Sequence, residues 1–172
     1  MLLARDWPRG RQQLVPAPFQ QREEFPLRPG AKEIKGGFIM SNIETIKQIY
    51  AAFGRGDIPA IIGNLDPNVE WDVELSTPGV PWLQTRRGAG NIPAFFESLA
   101  PLSFQRFEPH TFFENGNKVF VLVAFDVTHV ASGKQYTFPY EGHLWVFNDA
   151  GKIVKYQHVT DTALHQRAAR GE

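Results

Sequence analysis

The sequence predicts an α+β domain in which helices come first and a bent antiparallel sheet follows. Two observations carry this. Across residues 118–161 apolar and polar positions alternate with a period of two in three successive segments, the pattern of strands with one buried face. Across residues 41–65 apolar residues recur instead at helical spacing behind capping residues. The 172 residues suffice for one real core, and no internal repeat or second domain is evident.

Residues 1–39 differ from the rest. Pro8, Pro16, Pro18, Pro26 and Pro29 are scattered among arginine, glutamine and glutamate without lasting periodicity. Such a stretch buries too little apolar surface to offset its ordering entropy, so residues 1–40 are predicted to be a disordered extension. A basic arm that docks a partner is the functional alternative. Lys35-Gly36-Gly37-Phe38-Ile39-Met40 can be encoded by a purine-rich, ribosome-binding-like stretch ahead of a methionine codon. Translation is therefore expected to start at Met40.

From Ser41 the signals sharpen. Ser41-Asn42-Ile43-Glu44 is a capping box, and Ile43, Ile46, Ile49, Tyr50 and Phe53 follow on one helical stripe that should stop at Gly54-Arg55-Gly56. Asp57 caps a second short helix with Ile58, Ile61, Ile62 and Leu65 on its apolar face. Arg55-Gly56-Asp57 spells an adhesion tripeptide, but between two helices it reads as a turn and a cap. Residues 65–68 read as a turn and residues 69–74 as a strand, with Val69, Trp71 and Val73 on one side and Glu70, Asp72 and Glu74 on the other, where a strand end curling over a pocket mouth would still bury one carboxylate. Residues 76–90 form a long loop of the kind that often serves as a lid, anchored by Trp82. Asn91 should cap a third helix bearing Ile92, Phe95, Phe96 and Leu99.

A strand over residues 104–113 and a tight turn at residues 114–117 lead into the central sheet. Its first strand puts Val119, Val121, Val123, Phe125, Val127 and His129 on one face. The second spans residues 135–147 and the third residues 153–160, where Tyr156, His158 and Thr160 share a side. The inner face is apolar and aromatic, yet His129, His143 and His158 interrupt it. A concave face of rings with a few titratable groups points to a small-molecule pocket. Residues 163–172 are expected to fray as a polar tail.

Composition narrows the function. Lysine plus arginine equals aspartate plus glutamate, 18 each, which disfavours a general polyanion-binding role, and no nucleic-acid partner is expected. The absence of cysteine excludes disulfides and thiolate chemistry. No apolar run approaches the roughly 20 residues of a membrane span. No membrane partner is expected, and cytoplasmic localisation is the default. Phosphate loops, dinucleotide glycine fingerprints and serine-nucleophile motifs are absent.

The order of elements then supports a resemblance. Residues 46–53 with Gly56-Asp57, residues 68–72, the segment 88–99 and residues 144–153 resemble the NTF2-like superfamily in its SnoaL-like and ketosteroid-isomerase-like branch. The likeness covers Ser41 to about Thr162. It implies a cone-shaped α+β barrel, a curved antiparallel sheet wrapped around a pocket and covered by three N-terminal helices. The isomerase pattern has a tyrosine in the first helix, an aspartate base at the end of the first strand and a second aspartate in the sheet. Tyr50 matches the tyrosine and Asp72 the base, whereas His143 stands at the second aspartate's place. That departure speaks against steroid isomerisation and fits the polyketide cyclases of the branch better.

The expected activity is a cofactor-independent isomerisation or cyclisation of a small apolar carbonyl compound. Asp72 or His143 would abstract a proton beside the carbonyl, and Tyr50, His143 or His158 would steady the enolate oxygen. Trp71, Trp82, Phe95, Phe96, Val123, Phe125, Val127, Trp145 and Tyr156 are the expected pocket lining. His110 and His129 are expected at the rim. Asp72, His143 and His158 are also the one plausible metal set, but their spacing does not favour a metal, and none is expected. The alternative is a non-catalytic binder of apolar ligands or a dimeric stress-response scaffold. Phe120, Leu122, Ala124 and Val130 on the outer sheet face would form a homodimer contact.

Overall fold

The computed structural model describes residues 41–172. The expectations of disorder over residues 1–40 and of a start at Met40 fall outside the described residues. The described chain runs α1 (Asn42–Gly54), α2 (Ile58–Ile62), β1 (Leu65–Trp71), β2 (Arg86–Arg87), α3 (Pro93–Ser98), β3 (Leu102–Asn115), β4 (Lys118–His129), β5 (Gln135–Phe147), β6 (Ile153–Val159) and α4 (Thr162–Arg170).

The helices start where their caps stand. Ser41 Oγ accepts the Glu44 N–H at 3.2 Å, and Ile46, Ile49, Tyr50 and Ala52 are the buried stripe of α1. The Asp57 carboxylate accepts the Ala60 N–H at 3.1 Å. Gly56 between them has φ +69°, a left-handed conformation that a Cβ disfavours. The adhesion-like tripeptide is thus a turn and a cap. Asn91 does not cap α3. It closes a 3-10 turn (Ala89–Asn91), and α3 begins with Pro93 behind Ile92, which makes no side-chain cap bond.

One sheet has the order β2-β1-β6-β5-β4-β3. Strands β3 to β6 form an antiparallel meander. β1, which precedes the meander, lies parallel to its last strand, so the curved, unclosed sheet is mixed rather than antiparallel throughout. A register shift between Val123 and Phe125 sets three steps of β5 against two of β4. Phe138 and Glu141 are therefore both buried while Tyr140 is 76% exposed, as expected for a bulge that bends its strand. On the outer face Phe120 and Leu122 are half-buried, Ala124 is buried and Val130 is exposed.

The C-terminus departs from the sequence reading. Residues 163–172 do not fray: Asp161 caps α4 by accepting the Leu164 N–H at 3.0 Å, and Gly171 closes it at φ +67°. His165 and Ala168 are buried. The segment looks polar because its core-facing stripe is narrow and one of its members is a histidine.

Candidate functional site

The position of Asp72 is set by a backbone reversal. Its N–H still donates to Tyr156 O at 3.0 Å, continuing the β1–β6 ladder. Its φ is then +52°, in the left-handed region that aspartate tolerates better than most residues. Strict alternation would turn Asp72 outward with Glu70 and Glu74. The reversal turns it inward instead, and Asp72 is 0% exposed. The strand accordingly ends at Trp71 rather than at residue 74, and it begins at Leu65 where a turn was expected.

Both carboxylate oxygens of Asp72 are occupied. Oδ1 accepts the His158 backbone N–H at 2.8 Å and Gln157 Nε2 at 3.4 Å. Oδ2 meets His158 Nδ1 at 2.8 Å. A carboxylate can only accept, so Nδ1 carries the imidazole hydrogen and Nε2 offers a lone pair. Tyr156 lies 2.8 Å from Nε2 and donates its O–H there. Burial, with the charge of Asp72 behind it, pushes the Tyr156 phenol well above its ordinary range, so it stays protonated. Asp72 is not itself on the cavity wall, whereas Tyr156 and His158 are. It stands behind His158 rather than on the cavity surface, where a base that meets the substrate directly would be expected.

A second network lies alongside. The Trp145 indole donates to Tyr50 Oη at 3.1 Å, and Tyr50 Oη lies 2.9 Å from His143 Nδ1. The indole can only donate, and no other acceptor among the described residues meets Tyr50 Oη, so the Tyr50 hydrogen goes to Nδ1 and the His143 hydrogen sits on Nε2. Burial pushes the Tyr50 phenol far up, only partly offset by the Trp145 N–H. Burial, reinforced by His158 and His165, holds the His143 imidazole well below its ordinary value. His143 is therefore a neutral N–H donor at physiological pH. Its ring centroid is 5.1 Å from that of His158 and 5.4 Å from that of Tyr156.

The third network was not legible. The Trp82 indole donates to His165 Nδ1 at 2.8 Å, and His165 Nε2 faces Glu141 Oε1 at 3.3 Å. Thr160 Oγ1 donates a short bond to the same oxygen. Among the described residues Glu141 Oε2 has no partner. His165 was hidden in the supposed tail, and Glu141 is inward only because of the bulge in β5.

These networks meet at a cavity of about 70 Å³, well beyond the roughly 10–15 Å³ that holds one water. Of the expected lining, Trp71, Trp82, Phe95, Phe96, Phe125, Trp145 and Tyr156 are on its wall, with Tyr50, His143 and His158. Val123 and Val127 are fully buried but lie outside the lining, packed as core. Phe53, Phe104, Phe107 and His165 complete the aromatic wall. His110 and His129 stay away from the cavity, bonded to Thr111 at 2.7 Å and Ser132 at 2.9 Å. Among the described residues no group of three or more metal-ligating side chains is placed to hold a metal ion.

Residues 46–156 match the model of the SnoaL-like domain. The chain belongs to that family. Solved structures agree with a SnoaL-like chain of NTF2-like fold. An NTF2-like protein of unknown function from Burkholderia pseudomallei is 28% identical over 76% of this chain and 98% of its own, with a TM-score of 0.64. TerC, co-crystallised with polyporic acid, is 27% identical over 75% of this chain and 98% of its own, with a TM-score of 0.65. A candidate polyketide cyclase from Pseudomonas putida shares the fold at 21% identity, 71% and 92% coverage and a TM-score of 0.59. None of the curated proteins compared matches the chain. No described helix is long and apolar enough to cross a membrane.

Proposed function

We propose that this SnoaL-like chain is a cofactor-independent enzyme of isomerase or cyclase type. Its substrate is a small, largely apolar carbonyl compound. The reading rests on one observation above all: the Asp72–His158–Tyr156 chain ends at a cavity walled mainly by apolar and aromatic side chains. His158 Nε2 is the base. Asp72 holds its tautomer and balances the imidazolium that forms, the logic of any carboxylate-oriented histidine base. As a substrate C–H replaces Tyr156 at Nε2, the Tyr156 hydroxyl is released to donate elsewhere in the cavity. The neutral His143 Nε2–H donates to the enolate oxygen, and Tyr50 fixes that imidazole from the other side. The proton then returns from His158 to the rearranged skeleton, so no oxidant or second substrate is needed. General-base help of this kind contributes roughly 10²–10⁴-fold.

The test is α-proton exchange of 2-tetralone in D₂O, followed by proton NMR. Residues 41–172 should accelerate exchange over buffer, and His158→Gln should remove at least about 100-fold of the acceleration. Equal rates for the two proteins would end this reading. It would then leave the second one, a passive binder of apolar ligands, which is favoured by the fact that both His158 nitrogens are already bonded. A homodimer through the outer face around Phe120 and Leu122 is the proposed assembly; a monomer in sedimentation equilibrium would refute it.

A further inference from the structure

Three tryptophans lie in the described chain, and all three line the cavity. Two have spent their only polar group, Trp82 on His165 and Trp145 on Tyr50. Trp71 has not. It is 2% exposed, and no acceptor in the described residues meets its Nε1–H. A buried donor without a partner is destabilising, and phenylalanine would fill the same wall without that penalty.

The surroundings say what the donor awaits. Trp71 leans on Tyr156 at a centroid separation of 4.1 Å and on Phe95 at 5.0 Å. Tyr156 is the ring that also contacts His158 and His143. Polar atoms on Tyr50, Trp82, Trp145, Tyr156, His158 and His165 already bond one another. A guest oxygen at any of those must break an existing bond. At Trp71 it breaks none and relieves the orphaned donor, once the rings that close off this N–H give way to let the oxygen in.

We infer that Trp71 is a specificity-determining residue of this cavity. Its indole N–H reads the substrate's carbonyl oxygen and shares the charge of the enolate that develops there. The inference rests on the proposed function for its second half, the enolate, but not for its first, the bound oxygen. The ligand class is a flat apolar compound with an acceptor oxygen beside an aromatic or alicyclic body. A hydrocarbon of the same shape fits the walls but leaves the donor unpaired.

The test reads binding, not turnover. Indole N–H signals of the full chain are followed by ¹H–¹⁵N correlation spectroscopy, each assigned by a Trp→Phe variant. In the free protein the Trp71 signal should lie upfield of those of Trp82 and Trp145, which are hydrogen-bonded. Adding 2-tetralone should move it downfield, whereas tetralin, the matched hydrocarbon, should not. Trp71→Phe should weaken 2-tetralone about 5- to 100-fold and leave tetralin nearly unchanged. The inference is overturned if neither probe binds, or if 2-tetralone binds with the Trp71 signal unmoved. It is also overturned if both probes shift the signal alike, or if the free signal is already downfield because a trapped water occupies the donor. Exchange activity without the Trp71 shift sinks only this inference; the shift without exchange sinks only the catalytic reading.

Discussion

Asp72 holds His158 at two points, through Oδ1 to the backbone N–H and through Oδ2 to Nδ1, both at 2.8 Å. One bond fixes where the residue is; the other fixes which nitrogen of its ring is bare. Asn in place of Asp72 separates the two. Asparagine also tolerates the left-handed backbone at φ +52°, and its amide oxygen can still take the backbone N–H. Its NH₂ then faces Nδ1 and favours the tautomer with hydrogen on Nε2. Asp72→Asn should retain the native circular dichroism but lower 2-tetralone exchange about 10²- to 10⁴-fold, the upper figure being that of the matching change in a serine-protease triad. Unchanged exchange would mean that His158 is not the base.

Tyr50→Phe removes one oxygen that serves two partners. It leaves the Trp145 indole without an acceptor and His143 Nδ1 without a donor, both buried. Each orphaned group is destabilising by roughly 1–3 kcal/mol, so a loss of about 2–6 kcal/mol is expected in urea unfolding. A loss below about 1 kcal/mol would show that water replaces the hydroxyl.

His143 sets an acid limit on stability. Burial holds its imidazole well below 6.5 in the folded chain, while the unfolded chain titrates near 6.5. Below that pH the unfolded state binds one proton more, so stability falls as pH falls. The slope reaches up to about 1.4 kcal/mol per pH unit until the folded imidazole itself protonates. Above pH 6.5 the contribution is flat. His143→Gln keeps an acceptor for Tyr50 and removes the titration. The difference in unfolding free energy between the two proteins should therefore shrink steadily from pH 7 to pH 5. A constant difference would show that His143 is charged in the fold.

The helices and the meander were legible because their signals are local. Ser41 and Asp57 stand at helix starts, and the alternation from Val119 to Val127 needs no tertiary information. His143, Trp145 and Tyr156 were placed inward correctly for the same reason. What failed depends on one residue changing the local rule. The strand end at Asp72 was expected to bury a carboxylate, but not by a left-handed turn, and the bulge in β5 that turns Glu141 inward was not foreseen. Neither a positive φ at a non-glycine residue nor a bulge leaves a period in the sequence. His165 was missed because a short amphipathic helix with one histidine in its buried stripe reads as polar. The parallel pairing of β1 with β6 joins elements more than 80 residues apart, beyond the reach of any local pattern.

Glu141 and His165 offer the sharpest check on whether α4 belongs to the site. The pair is almost fully buried, its side chains 2% and 4% exposed. Removing one partner of such a pair strands the other, whereas removing both often leaves stability nearly unchanged. His165→Leu takes the Nε2 donor from a carboxylate that already has a bare oxygen, and it also strands the Trp82 indole. It should cost about 3–5 kcal/mol in urea unfolding. The double change with Glu141→Leu removes the stranded carboxylate and should recover part of that loss, despite altering a second core position. Two apolar side chains against Phe138, whose ring lies 4.5 Å from that of His165, have a ready surface to pack on. A double variant less stable than His165→Leu alone would show that the carboxylate is not stranded, and that Thr160 alone suffices to hold it.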